Sequence, residues 1–398
     1  MGLNLDIFTK IQLSLQVGKI RSIGIRLHFT IIIAFVLLAW TISTYFMPQF
    51  VPDLNEMDYW VLGAVSTILL FFSILLHELS HSFMSQRYGI PVKSITLFIF
   101  GGVSDISKEP KSAYKEFSIA IVGPITSFLL SGIFTILLFS LKGFEFTSFD
   151  NLQLTRIEAI MLYGVFLNLL LGIFNMIPAF PLDGGRILRS ILFKLKGDFY
   201  KATKISITTG VIFSYLFMGV GAVSLFAGNT IGGIWIIVIG WFLNNGVKSY
   251  QYYVEIEHLL QNVVAKDVMK TQIITINSSF NIQKTLDYFR IHLKSELPVV
   301  DDDGILLGMI KNTDTLKIEE NQRNEENVKD VMMSKNNLII FHPDAKMDDA
   351  IMQMVKKRQG KVFVCDTRGK LLGVISKTDL LTIASERQDY FQSKKSKT

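Results

Sequence analysis

Along the first 250 residues, long uncharged runs alternate with short basic segments. Residues 27–47, 60–76, 117–141 and 159–182 contain no Lys, Arg, Asp or Glu, and 205–247 continue so for 43 positions. A helix that crosses a bilayer needs about 17–25 such residues. The first four runs therefore predict one span each. The fifth is too long for one helix, and Ala227-Gly228-Asn229-Thr230-Ile231-Gly232-Gly233 divides it at a turn. Six spans are expected. Between the second and third, Ser94-Ile95-Thr96-Leu97-Phe98-Ile99-Phe100 is too short to cross and rich in strand formers, with Gly101-Gly102 as a break.

After Tyr250 the pattern changes to short β-rich runs alternating with amphipathic helical ones, and it repeats. Ala265-Lys266-Asp267-Val268-Met269 matches Val328-Lys329-Asp330-Val331-Met332. Strand-like runs follow at 273–276 and 338–341, then helical segments near 280–291 and 347–357. Each repeat closes on a matched block, residues 304–314 and 369–379. The offset is 63 residues at the start and 65 at the end, so the segment is a tandem duplication whose copies pack as a pseudo-symmetric pair. The fold class is thus a multi-pass α-helical membrane domain followed by a soluble α+β pair. The expected boundaries are 1–248 for the membrane domain, 249–261 for a connecting segment, and 262–320 and 328–385 for the two copies. A Lys- and Ser-rich tail, 386–398, is expected to be disordered.

Charge divides the chain at the same place. Residues 1–244 carry 30 charged side chains and residues 245–398 carry 44. These are about 12% and 29%, against about 25% in soluble chains. The net charge of +6 is spread too thinly to argue for a nucleic-acid partner. Its placement is informative. With the N-terminus inside, the three inside loops hold 15 Lys and Arg and the three outside loops hold 2. That asymmetry places both termini in the cytoplasm and the chain in the cell membrane. Residues 1–6 lack the features of a signal peptide, so the first apolar run is expected to be a retained span. The lone Cys365 excludes intramolecular disulfides and Cys-rich metal sites.

At the end of the second run lies Leu76-His77-Glu78-Leu79-Ser80-His81, an H-E-x-x-H pattern. On a helix, residues four apart share a face, so His77 and His81 can address one zinc ion, with Glu78 beside them to take a proton from water. With six His in the chain, chance supplies about 0.003 such patterns. Titratable groups at the end of a membrane helix are also costly. Catalytic zinc needs a third protein ligand. The best candidate is Asp183, which follows an uncharged run of 24 residues on the same side as the histidines. Pro178 and Pro181 break the helix before it, and Gly184 and Gly185 let the chain turn after it. The competing reading of Asp183 is a cap for the next helix.

The H-E-x-x-H span, the segment Asn175-Met176-Ile177-Pro178-Ala179-Phe180-Pro181-Leu182-Asp183-Gly184-Gly185, and Gly123-Pro124 of the third span resemble the site-2 protease family of intramembrane zinc metalloproteases (peptidase M50 type). The resemblance covers about residues 20–245. It implies one zinc per chain held by His77, His81 and Asp183, with Glu78 as general base and Asn175 holding substrate backbone or oxyanion. Residues 141–158 leave no room for a PDZ-like insertion, which argues against the regulated-stress branch. The C-terminal repeats resemble CBS domains over roughly residues 262–385. Such pairs often bind adenine nucleotides, ATP among them, through a Gly-apolar-apolar-Ser/Thr-x-x-Asp signature. The second copy fits with Gly373, Ser376 and Asp379; the first keeps Asp314 but has Lys311 in place of the hydroxyl. The resemblance implies that Ser376, Asp379 and Asp314 contact ribose or phosphate and that Lys311 supplies a charge to phosphate. The alternative is a dimerising module, with a homodimer formed through the CBS domains.

The expected function is hydrolysis of peptide bonds in or near transmembrane segments of membrane-tethered protein substrates, regulated by a nucleotide. The short strand after residue 92 is expected to pair with an unwound substrate by strand addition. Two rivals remain. An inactive helix-binding scaffold has no reason to keep Glu78. A CBS-gated transporter should show paired repeats or several intramembrane charges, and neither is present.

Overall fold

The computed structural model describes residues 14–99, 101–106, 110, 112–142, 153–348, 350–357 and 359–395. Residues 1–6 and 396–398, on which two of the expectations above bear, lie outside this set. The chain divides into two compact units, Met1–Gln251 and Tyr252–Thr398.

Among the described residues, six helices are long and apolar enough to cross a membrane: α1 (Thr30–Phe50), α2 (Glu56–Arg87), α3 (Ala113–Lys142), α4 (Arg156–Met176), α6 (Phe199–Phe226) and α7 (Thr230–Leu259). Their packing is inverted relative to a water-soluble bundle. Ile32, Leu129 and Leu170 are about two-thirds exposed, at 66%, 64% and 65%, while Ser66, Ser127, Asn168, Ser206 and Ser214 are fully buried. Lipid rewards that arrangement, since small and polar side chains let helices approach closely and bond across. Asn168 Nδ2 accordingly donates to Ser73 Oγ at 3.1 Å, joining α4 to α2.

Two local signals set the segment that matters most. A capping box of Thr155 and Glu158 starts α4. The helix stops at Met176, because Pro178 and Pro181 cannot donate to its ladder. The fourth span is therefore shorter than the uncharged run. Asp183 is not its last residue but the first of a separate amphipathic helix, α5 (Asp183–Lys196), which ends at Gly197 with φ of 69°. Gly184 and Gly185 are required here: a Cβ on them would lie 2.2 Å from Ile177 O and 2.4 Å from Phe180 N. Without side chains, the start of α5 folds back onto the loop before it.

A four-stranded sheet, order β1-β2-β3-β4, covers one side of α2. It comprises β1 (Ser14–Ile20), β2 (Ile23–His28), β3 (Val92–Phe98) and β4 (Gly101–Ile106). The β2–β3 pair is parallel and the other two are antiparallel. The β1–β2 hairpin was not among the elements read from the sequence. Ile23, Ile25, Val92, Ile95 and Leu97 pack on Leu79 of α2, so the sheet is seated on the helix turn that carries the histidines.

The second unit is the duplicated β-α-β-β arrangement the repeats predict. Its sheets run β5-β6-β7-β8, with β5 (Ile276–Asn277), β6 (Glu296–Val300), β7 (Leu306–Lys311) and β8 (Met333–Ser334), and β11-β10-β9, with β9 (Ile340–Phe341), β10 (Lys361–Cys365) and β11 (Leu371–Ser376). The lead-in blocks are exchanged. Ala265 N donates to Ala345 O in the second copy, and Val328 N donates to Phe280 O in the first. Met269 lies against Gly373 and Met332 against Gly308, each where a Cβ would come within 2.8 Å of the sulfur. The final helix (Lys377–Lys395) runs well into the tail expected to be disordered. No Gly or Pro interrupts the sequence after Lys377.

Cys365 is buried at the end of β10. Burial, with a smaller push from Asp366, raises its thiol to about 11. At pH 8 only about one thiol in a thousand is thiolate. The folded chain should therefore resist maleimide labelling until denaturant is added, and rapid labelling without denaturant would contradict this packing.

Candidate metal centre

Because α2 is unbroken from Glu56 to Arg87, His77 and His81 emerge on one buried face. The turn at Gly184-Gly185 brings Asp183 to them. Asp183 Oδ2 lies 3.1 Å from Nε2 of each histidine, and the two Nε2 atoms are 3.2 Å apart. The outer ring nitrogens are held from behind. His81 Nδ1 is 2.6 Å from Ile119 O. A carbonyl only accepts, so in the neutral ring Nδ1 carries the proton and Nε2 turns its lone pair inward. His77 Nδ1 lies 2.9 Å from Ser127 Oγ, a hydroxyl that holds the orientation of the second ring.

Two imidazole nitrogens and a carboxylate oxygen thus converge on one point, a set of donor types that could hold a catalytic zinc ion. Ligands at about 2.0–2.1 Å from a tetrahedral zinc stand about 3.3–3.4 Å from one another, close to the separations here. Among the described residues, this is the group of three His, Cys, Asp or Glu able to hold a metal ion.

One stripe of α3 supports the group. Ile119, Gly123 and Ser127, at spacings of four, face the histidines. Gly123 is there for lack of space: a Cβ would stand 2.2 Å from His81 Nε2 and 2.6 Å from His77 Nε2. Glu78, next on α2, meets β4 instead. Ser104 Oγ donates to Glu78 Oε2 at 2.8 Å, and Gly102 leaves the space its Cβ would take 2.5 Å from Glu78 Cγ. The strand lies over the carboxylate and steadies one of its oxygens.

Asn175 is half-buried in the last turn of α4, where its Nδ2 donates to Leu171 O at 3.0 Å. In the second unit, Ser376 and Asp379 bond to each other: Ser376 N and Oγ donate to Asp379 Oδ2 at 2.9 and 2.7 Å, and Asp379 N donates to Ser376 Oγ at 3.1 Å. These bonds form a capping box for the last helix. Asp379 Oδ1 takes Lys270 Nζ at 2.6 Å. Burial works to raise the Asp379 carboxyl, but the Lys270 and Ser376 bonds outweigh it and hold it below the ordinary carboxylate value. In the first copy Lys311 is an N-cap whose side chain makes no cap bond, and Asp314 pairs with Lys317 at 2.7 Å. A cleft in this unit is lined by Ile340, Phe341, His342, Cys365 and Asp366, among others, but by none of these four residues.

Sequence reasoning missed Ile119, Ser127 and Ser104. Ile119 acts through its backbone, which no residue type announces. Ser127 did carry a signal: it lies four residues after Gly123, on the same helix face.

Residues 65–218 match the Peptidase family M50 profile, and residues 265–320 and 328–386 match the CBS domain profile. A zinc metalloprotease of Methanocaldococcus jannaschii is 32% identical over 372 residues, which cover 94% of this chain and 96% of that protein. The stage IV sporulation protein FB of Bacillus subtilis is 21% identical over 276 residues, covering 65% and 87%. Among solved structures, the site-2 protease from Methanocaldococcus jannaschii is 34% identical, covers 59% of this chain and 94% of that one, and superposes with a TM-score of 0.42. With a 32%-identical relative along nearly its whole length, the chain belongs to the M50, or site-2 protease, family of zinc metalloproteases, as a multi-pass membrane member with a tandem CBS pair.

Proposed function

We propose that the membrane unit holds one zinc through His77, His81 and Asp183 and hydrolyses peptide bonds in or near transmembrane segments of membrane-tethered proteins, with Glu78 as general base. The convergence of the three donor atoms within 3.2 Å of one another supports this reading. When bound, zinc supplies Lewis acidity that polarises the scissile carbonyl and acidifies water. Glu78 accepts the proton of the attacking water and returns it to the leaving amine. Ser104 engages Oε2, which leaves Oε1 to face the proton. A membrane-buried peptide bond is already hydrogen-bonded within its helix, so the substrate must first unwind. The strand expected to pair with substrate, β3, is already paired on both sides by β2 and β4, so strand addition falls instead to β4, the edge strand lying over Glu78. Asn175 would hold substrate backbone once its bond to Leu171 O is exchanged.

The direction of release follows from loop charge: the site faces the cytoplasm, and cleavage frees a cytoplasmic domain. Comparing membrane and soluble proteomes of cells with the unaltered chain or with Glu78→Gln tests this, since uncut substrates should accumulate in the Glu78→Gln membranes. An unchanged membrane proteome would count against the proteolytic reading. In a Cys365→Ser background, Asp53→Cys or Asn229→Cys should react with an impermeant thiol reagent applied to intact cells, and Lys194→Cys or Lys335→Cys should not. Labelling at position 335 would overturn the C-inside topology.

The CBS pair is read as the regulatory part, binding an adenine nucleotide through Ser376 and Asp379 with Asp314 and Lys311 in support. Its support is the signature in the second copy, and a nucleotide must displace Lys270 from Asp379 to bind there. Calorimetry on the full chain should detect ATP, ADP or AMP binding that Asp379→Ala weakens about tenfold, on the scale of a lost charge-assisted hydrogen bond. No heat at millimolar nucleotide would leave the pair as a dimerising or docking module.

A further inference from the structure

The bundle buries one more charged cluster that the chemistry above does not use. Arg189 on α5 is 1% exposed and Glu116 at the start of α3 is fully buried. Arg189 Nε donates to Glu116 Oε1 at 2.6 Å, and Nη2 pairs with the same oxygen. Nη1 donates to the hydroxyl of Tyr250 on α7. Three rings cage the guanidinium, with Phe180 at 4.9 Å, Phe199 at 4.8 Å and Tyr250 at 5.8 Å, and Phe180 stacks on Tyr250 at 4.8 Å. A buried ion pair is a poor way to stabilise a fold, because well-packed apolar residues of the same volume do as well or better. Its place in the fold suggests another use.

Glu116 lies on the stripe of α3 that continues through Ile119, Gly123 and Ser127, the residues that orient the two histidines. Arg189 follows Asp183 by six residues on one helix, and Phe180 precedes it by three in the loop that packs on Gly184 and Gly185. Both parts of the donor set are therefore referred to the same helix face: the histidines directly, and Asp183 through Arg189. We infer that Arg189, held between Glu116 and Tyr250, is a positioning residue that fixes Asp183 against the histidine pair. This rests on the proposed metal site.

The test uses the full chain in detergent, titrated with a zinc chelator and assayed on a single-span reporter carrying a helix-breaking Asn-Pro pair. Arg189→Lys and Glu116→Gln should each release zinc at chelator concentrations at least tenfold lower, the usual scale for the loss of an outer-shell partner. Each should lower kcat by a similar factor with KM within about threefold. Tyr250→Phe should shift both in the same direction by less. The apolar double variant Glu116→Leu/Arg189→Met separates positioning from stability. A folded double variant with normal zinc retention would show that the pair serves packing alone and overturn the inference. If the double variant does not fold, normal zinc retention and kcat in Arg189→Lys and Tyr250→Phe would overturn it equally. His77→Ala is the control: zinc retained there defeats the metal-site reading itself, whereas zinc lost there but kept in Arg189→Lys defeats only this inference.

Discussion

Glu78→Gln is expected to purify with about one zinc per chain and to cut peptide substrates about 10²- to 10⁴-fold more slowly, the range by which general bases contribute. Gln keeps the shape of Glu and can still accept the Ser104 hydroxyl, so β4 and the donor set should stay in place. What it loses is the capacity to take a proton. His77→Ala, His81→Ala and Asp183→Ala should behave oppositely. Each removes one of three donors that lie 3.1–3.2 Å apart, so zinc itself should be lost and activity with it. Metal content by mass spectrometry, measured beside the cleavage rate, separates the two classes. Normal cleavage by Glu78→Gln would end its assignment as base, and full zinc in Asp183→Ala would remove Asp183 from the ligand set.

The parts of this molecule that were legible in its sequence are those whose physics is local or periodic. Six spans follow from uncharged length, since a bilayer admits few other solutions. The meeting of three side chains was legible because His77 and His81 lie one turn apart and Asp183 is rare acidity beside an apolar run. The β1–β2 hairpin was missed although Ile23, Ile25 and Leu27 alternate with Gly24, Arg26 and His28: the run is short, and β2 is fixed by a parallel partner, β3, some 70 residues later. Such pairing leaves no local trace. The repeats announced two copies but not that each lead-in block docks on the other copy, because Met269 and Gly373 meet only in three dimensions.

The motif residues of the CBS pair show how one pattern can carry two readings. Ser-x-x-Asp before a helix is also a capping box, and Ser376 and Asp379 make those bonds here. A ligand-binding signature and a helix start can share the same residues. Asp183 shows the converse: the cap of α5 is Leu182, without a side-chain cap bond, and Asp183, the first helical residue, turns its carboxylate to both histidines instead. An acidic residue in the first turn of a helix suits the helix dipole without capping it, which leaves its carboxylate free to point elsewhere.

Gly123→Ala should separate stability from function more sharply than any ligand substitution. In a helix interior, alanine is favoured over glycine by about 1 kcal/mol, so by propensity alone the change should leave α3 as stable or more so. The new methyl has nowhere to go. It would stand 2.2 Å from His81 Nε2 and 2.6 Å from His77 Nε2, well inside the contact distance of about 3.5–4.0 Å between non-bonded heavy atoms. The rings cannot simply swing away, since His81 is tied to Ile119 O and His77 to Ser127 Oγ. They must give up those bonds and turn their inner nitrogens off the shared point. Zinc affinity should fall at least tenfold, and cleavage should fall with it, in protein that still folds. Gly132, nine residues further along the same helix, provides the matched control because a Cβ there meets nothing within 4 Å. Gly132→Ala should keep full zinc and full activity. Thermal melting of the metal-free proteins, read beside zinc content and cleavage rate, distinguishes the two glycines. A Gly123→Ala chain that holds zinc and cuts normally would mean that α3 does not approach the histidines as closely as described.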